Sequence, residues 1–210
     1  VKSILRGHGS VGNDHPIGRQ QKYFNSDLAQ RQYDPDKARF YLKQAGLDSL
    51  DISISAADAA FAGAVDAGVL FEESARKAGI NLKGVRESND GYWINVWAKK
   101  PMCMCYWTGR ATPDWIFSQI YASGASWGDT QWNNERFDKL MLQARSELDE
   151  ARRKAIYWDM QAMLHDEGST VVPMFMNHIM GMGNDVVTSP TVAGDMALDG
   201  MRAIERWSLA

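Results

Sequence analysis

Trp107, Thr108, Arg110 and Thr112 fall close together near the middle of the chain, with Gly109 among them and Asp114 just beyond. An arginine among hydroxyls can grip an anion through charge-assisted hydrogen bonds, and a neighbouring tryptophan offers a flat amphipathic wall. The set contains no activated nucleophile, so the chemistry it supports is binding. The same residues also read as an ordinary strand-to-helix connection with a solvated arginine. Spacing alone leaves both readings open.

Other candidates for chemistry are sparse. Cys103 and Cys105 are the only thiols. Two positions apart on a strand they share a face, where an unstrained disulfide seldom forms. A C-x-C pair could supply half of a zinc site, but His8, His15, His165 and His178 are scattered and none lies at ligand spacing. Buried thiols are the better reading. No Ser or Cys sits in a nucleophile elbow, no glycine loop is built to cradle phosphate, and the histidines lack evident carboxylate partners. The expectation is a protein that is not an enzyme, with no metal and no cofactor.

The elements that must position the Arg110 loop are legible on either side. Met102-Cys103-Met104-Cys105-Tyr106-Trp107 is apolar without alternation, which predicts a strand buried on both faces, as inside a parallel sheet. Both thiols should then be inaccessible. Gly109 and Pro113 mark a polar loop, and Asp114 is placed to cap a helix through Trp115, Ile116, Phe117 and Ile120. The carboxyl end of a central strand, followed by a helix start, is the usual ligand position in open α/β sheets.

Upstream, Asp34-Pro35 opens a helix with Ala38, Tyr41, Leu42 and Ala45 on one face, and Gly46 ends it. Leu50, Ile52 and Ile54 alternate with polar residues as a strand. A helix starting near Ala60 turns Ala67, Leu70, Phe71, Ala75 and Ala78 inward, and Ile80 and Leu82 begin a second strand, with Gly84 breaking its phase at a bulge. This is a βαβ unit. Downstream, two helices are lined by Phe137, Leu140, Met141, Ala144 and Leu148, and by Ile156, Met160, Met163 and Leu164, with charged outer faces. Gly168 ends the second, and Val171 to Met176 reads as a strand. The glycine-rich stretch before Tyr33 reads as an ordered connector.

The 210 residues suffice for one substantial core and a small second lobe. A net charge of −3 leaves no basic stripe for nucleic acid. No apolar run nears the roughly 20 residues that a membrane helix needs. The eight tryptophans suit a ligand cleft as well as a core, whereas the methionines read as core filler. Trp127-Gly128-Asp129-Thr130-Gln131-Trp132 either covers the top of the core or forms an aromatic wall beside the Arg110 loop. The chain starts at Val1 without a leader, which suggests a processed product or an expressed fragment.

Tyr33-Asp34-Pro35-Asp36-Lys37-Ala38, Gln44-Ala45-Gly46 and Ala78-Gly79-Ile80 come in a familiar order. They are followed by the strand ending in Trp107, the Pro113 loop, Asn133-Asn134-Glu135-Arg136-Phe137-Asp138-Lys139-Leu140, Glu167-Gly168 and Val171-Val172-Pro173-Met174. This order resembles the periplasmic solute-binding proteins of dipeptide, oligopeptide and nickel ABC importers (extracellular solute-binding protein family 5), over most of residues 7 to 183. Such proteins are more than twice this long.

The resemblance implies the carboxyl-terminal lobe of a periplasmic-binding-protein-like (type II) α/β fold, a mixed sheet flanked by helices. Residues 1–32 would be a hinge-proximal connector, 33–190 the ligand-binding lobe, and 191–210 a tail returning to a first lobe. Without that lobe the tail would adapt, or self-association would cover it. The implied function is a periplasmic receptor that hands peptides or related zwitterionic or acidic solutes to an ABC membrane permease. The alternative is a structural or signalling interaction module, with exposed surface around Trp127 and Trp132.

Trp107, Thr108, Gly109, Arg110, Thr112, Asp114, Trp127 and Trp132 are the expected ligand-binding residues. Peptide binders of the family commonly carry an aspartate where Arg110 stands here, which reverses the charge. Arg110 is therefore expected at the cleft surface and able to take a ligand carboxylate, whose two oxygens match the guanidinium fork. Pairing of Arg110 with Asp114 or Asp129, bracing the loop, is the competing expectation. A lobe alone should bind its ligand poorly, since half the contacts are missing.

Overall fold

The computed structural model describes residues 1–210. In chain order the elements are α1 (Lys2–Leu5), β1 (Gly9–Val11), α2 (Pro35–Gln44), β2 (Leu50–Ala56), α3 (Ala64–Arg76), β3 (Ile80–Arg86) and α4 (Tyr92–Asn95). Then come α5 (Pro113–Ile116), which runs into a π-helical turn over Phe117–Tyr121, α6 (Glu135–Ser146), α7 (Glu150–Glu167), β4 (Met174–Met176), β5 (Val186–Val187), the short α8 (Ala197–Met201) and α9 (Ala203–Arg206), and β6 (Ser208–Leu209). The class is α/β, as the alternating patterns require. Instead of one mixed sheet, the strands form three two-stranded sheets: β1 with β4, β2 with β3, and β5 with β6. No helix is long and apolar enough to cross a membrane.

The contacts divide the chain into two compact units, Gln30–Trp107 and Val1–Ala29 together with Thr108–Ala210. In the first, β2 and β3 pair in parallel from Leu50↔Ile80 to Ala56↔Arg86, with α3 between them in sequence. The register is unbroken and Gly84 sits opposite Ile54, so the expected bulge is absent. Gly84 instead keeps ladder geometry and donates its N–H to the Glu72 carboxylate. The inward face of α3 is narrower than its periodicity suggests: Ala64, Ala67 and Gly68 are buried while Leu70 is 46% exposed. Small residues there let the helix lie close on the strand, with Gly68 near the Ala56 side chain.

The apolar run before the Arg110 loop is not a doubly buried strand. It makes one parallel bridge, Ser55↔Cys103, through Ser55 N–H to Met102 O (3.0 Å) and Met104 N–H to Ser55 O (2.9 Å). Met104 is buried against Tyr92, whose hydroxyl lies 2.7 Å from the Met104 carbonyl. Cys103 and Cys105 are half-buried thiols and Tyr106 is 52% exposed. Met104 is the one buried residue of the run, so its apolar composition does not translate into burial on both faces. The expectation of inaccessible thiols falls with the double burial on which it rested.

Helix α2 begins as Asp34-Pro35 predicts. The Asp34 carboxylate accepts the Lys37 N–H at 2.9 Å, Pro35 occupies the first turn, and Gly46 follows the helix at φ +74°. Because the cap is exposed and unsupported by packing, Asp34→Ala should cost about 0.5–2 kcal/mol. Urea unfolding of the variant, followed by circular dichroism, checks this.

In the other unit, the glycine-rich opening stretch is more than a connector. Gly9, Ser10 and Val11 pair antiparallel with Met176, Phe175 and Met174. Just after them a side chain at Gly12 would run into the Val172 carbonyl, so close backbone approach explains that glycine. Asn25 ties the same stretch to α7: its N–H donates to the fully buried Gln161 Oε1 at 2.9 Å, and Gln161 Nε2 donates to the Tyr23 and Tyr157 carbonyls.

Asn134 and Asp149 cap α6 and α7, and the helices bury Phe137, Met141, Tyr157, Met160 and Leu164. Phe117 packs edge-on to Phe137 at 5.4 Å in this core. Leu148 lies beyond the end of α6 and is 89% exposed, not part of its apolar face. The tail closes on the chain itself, with Val186↔Leu209 and Val187↔Ser208.

Candidate functional site

The loop Thr108–Thr112 opens α5, and its geometry follows from local rules. Pro113 takes the first helical position, so the cap falls on Thr112, whose hydroxyl accepts the Trp115 N–H at 3.3 Å. Asp114 is therefore a first-turn residue and not the cap. Its carboxylate is held by Arg145 of α6 in a two-pronged pair, Nε at 2.6 Å and Nη2 at 3.1 Å. That pair fixes the start of α5 against α6 and occupies the oxygens an incoming ammonium would need.

Arg110 is buried, only 8% exposed. Its Nε donates to Gln119 Oε1 at 2.9 Å, and its Nη1 donates to the Thr108 carbonyl (2.9 Å), the Thr108 hydroxyl (2.6 Å) and the Gly109 carbonyl (3.1 Å). The guanidinium lies 5.4 Å from the Trp115 ring centroid. Every one of these partners is neutral. Neither Asp114 nor Asp129 pairs with Arg110; Asp114 belongs to Arg145. A buried guanidinium is thus oriented by hydrogen bonds and a ring face while its charge is left uncompensated by any carboxylate. A buried charge ordinarily acquires an opposite charge.

The loop backbone is braced from two sides. Gln21 Nε2 donates to the Arg110 carbonyl at 3.0 Å, and the Gly18 N–H fixes Gln21 by donating to its Oε1 at 2.6 Å. On the other side the Asp195 backbone lies against Gly109, where any Cβ would collide with the Asp195 carbonyl.

Such a charge-bearing, braced loop after an extended apolar segment suits a binding protein, and comparison with known proteins agrees. Residues 1–129 match the bacterial extracellular solute-binding proteins, family 5, in that family's middle region. The chain belongs to this family. It is similar to the dipeptide-binding protein of Escherichia coli K12, 25% identical over an alignment of 188 residues that covers 82% of this chain and 34% of that protein. Among solved structures it is similar to the ABC transporter-associated periplasmic binding protein DppA from Helicobacter pylori in complex with the peptide STSA. There the TM-score is 0.71 at 21% identity, covering 82% of this chain and 35% of the other. It is similar also to AgaA from A. tumefaciens R10 in complex with agropinic acid, with a TM-score of 0.76 at 15% identity, covering 100% of this chain and 44% of the other. The chain spans about a third of the dipeptide-binding protein's length.

Within this family 5 chain the sequence-derived site residues separate. Thr108, Gly109, Arg110 and Thr112 form the loop just described, and Asp114 is committed to Arg145. Trp132 is half-buried and meets Phe137 edge-on at 5.2 Å, covering the core. Trp127 is 49% exposed. Trp107 belongs to the unit Gln30–Trp107, where it packs on Trp97 at 6.1 Å. Three residues that hold Arg110 were not anticipated: Gln21, Trp115 and Gln119. Trp115 and Gln119 are four apart on one helix face, which is the signal that could have found them; Gln21, distant in sequence, left none.

Proposed function

We propose that this chain forms part of an extracytoplasmic receptor that captures small solutes bearing an anionic group and presents them to an ABC membrane permease. The observation that carries this reading is Arg110, a buried guanidinium with neutral partners only. A solute carboxylate would complete the pair through Nη2, the one guanidinium nitrogen that the loop's own hydrogen bonds leave unused. The related proteins named above bind dipeptides, a peptide and agropinic acid. Peptides held by their carboxylates and acidic amino-acid conjugates are therefore the solute classes to expect here. Asp114, engaged by Arg145, is a poor receptor for a peptide amine, which shifts recognition toward the acidic end. Thr108, Gly109 and Thr112 shape the loop, and Trp127 remains proposed as a wall residue.

Calorimetric titration of the protein that carries this sequence tests the proposal, using solutes with a free carboxylate beside their carboxamides. Carboxylates should bind more tightly than the matched amides. Equal affinities within each pair would remove the anion-binding role.

A further inference from the structure

The chain after β5 is folded into a strap by one fully buried carboxylate, that of Asp199. It accepts the Ala193 N–H at 2.6 Å, Arg206 Nη1 at 2.8 Å and Trp207 Nε1 at 3.2 Å. Arg206 extends the clasp through Nη2, to the Ser189 hydroxyl at 3.0 Å and the Thr191 carbonyl at 2.8 Å. Around this carboxylate Leu198, Asp199, Gly200 and Met201 all take positive φ, between 52° and 67°. Three of the four carry side chains that disfavour this region. Such a backbone persists only where its surroundings impose it, and the three bonds to Asp199 supply that constraint.

What the clasp holds in place is the segment Ala193–Asp195. The Asp195 backbone lies on Gly109, with its carbonyl carbon and Cα each 3.1 Å from where a Cβ would stand. Gly194 lies by the Gln20 side chain, 2.9 Å from its own would-be Cβ, and the next residue, Gln21, grips the Arg110 carbonyl. The strap therefore touches the Arg110 loop on the residue before the arginine and meets the segment that braces it from behind.

We propose that Asp199 is a positioning residue that seats this strap on Gly109 and so controls access to the Arg110 guanidinium. Gly109 is glycine because the strap's backbone must approach it closely. This rests on the reading of Arg110 as the anion-binding group, and adds that lifting the strap widens solute access to that charge.

The test needs no identified ligand. Phenylglyoxal modifies accessible guanidinium groups, and peptide mass spectrometry reads its rate at Arg110 separately from Arg152, whose side chain is 71% exposed and serves as internal reference. In the unaltered chain Arg110 should react far more slowly than Arg152. Asp199→Asn weakens the clasp, and Gly109→Ala pushes directly on the strap. Each should speed modification of Arg110 by about fivefold or more, since local opening sets the reactivity of a shielded group. The Arg152 rate should not change.

Near-ultraviolet circular dichroism establishes that each variant retains its packing. Should either fail to fold, Arg206→Gln, which leaves both Asp199 and Gly109 in place, is read in the same way. An unchanged Arg110 rate in folded variants would overturn the proposal. Faster labelling in a protein that shows no preference for carboxylate solutes would leave the strap standing and remove the functional reading instead.

Discussion

Arg110→Ala should weaken binding of a carboxylate-bearing solute by roughly 10- to 150-fold, the equivalent of losing a charge-assisted hydrogen bond that contributes about 1.5–3 kcal/mol. The side chain is 8% exposed and has no carboxylate partner in the chain, so solvent screening should erode its attraction little. Arg110 also braces its own loop through Thr108 and Gln119, and a loss of affinity could reflect a deformed loop instead of a missing charge. Two controls separate these causes. The carboxamide analogue of the solute, which never used the charge, should lose much less affinity than the carboxylate if charge is what matters. Arg110→Lys keeps the charge but not the fork, and should fall between the parent protein and Arg110→Ala. Arg110→Asp, which reverses the charge, should be the weakest for acidic solutes. Calorimetry on the four forms decides it. A uniform loss for carboxylate and amide alike would assign Arg110 to loop support alone.

How much of this arrangement was legible beforehand varies with the distance over which each feature is determined. Helix starts and stops were readable because a cap, a proline and a glycine act within one turn: Asp34, Pro35 and Gly46 do what their chemistry dictates. The parallel pairing of β2 and β3 was readable from alternation and spacing. Errors arose where burial depends on layers supplied from far away. The run Met102–Trp107 carries a core composition, yet only Met104 in it is buried and a single bridge, at Cys103, joins it to a strand. The helix cap shifted from Asp114 to Thr112 because the two residues flanking Pro113 could each serve and Pro113, at the first helical position, decided between them.

In the candidate site the arginine itself was evident from its residue type, but its company was not. Gln21 reaches it from 89 residues upstream, and the Asp195 backbone comes to Gly109 from almost as far downstream. No local pattern encodes such contacts. The expectation that Arg110 would lie open at a surface missed its burial because its side chain turns back onto Thr108, Gly109, Trp115 and Gln119. Pairing with Asp114 or Asp129 was a sensible alternative by proximity in sequence. Arg145 takes Asp114 instead, because α6 packs beside α5 and brings a second guanidinium to the same carboxylate.

Acidification from pH 7 to pH 4 should remove about 3 kcal/mol of folding stability through His15 alone. His15 is 1% exposed, and neither ring nitrogen has a hydrogen-bond partner. Burial, and secondarily the nearby His165, push its pKa down from 6.5 to about 4. The unfolded chain keeps the ordinary value. Above pH 6.5 both states are neutral at this position and His15 adds no pH dependence. Between pH 6.5 and about 4 the unfolded chain takes up a proton that the folded chain refuses, so stability falls as the pH falls. Below about 4 both states are protonated and the dependence from this group ends.

His15→Leu removes the titration at similar side-chain volume, and also removes two buried nitrogens that lack partners. Urea unfolding at several pH values should show the variant losing about 3 kcal/mol less than the parent between pH 7 and pH 4, with its carboxylates titrating alike in both. At pH 7 the two should differ little, apart from a gain in the variant for losing unsatisfied polar atoms. Parallel stability profiles across this range would show that His15 is protonated in the folded state as readily as in the unfolded one, contrary to its burial among Phe24 and the residues of α7.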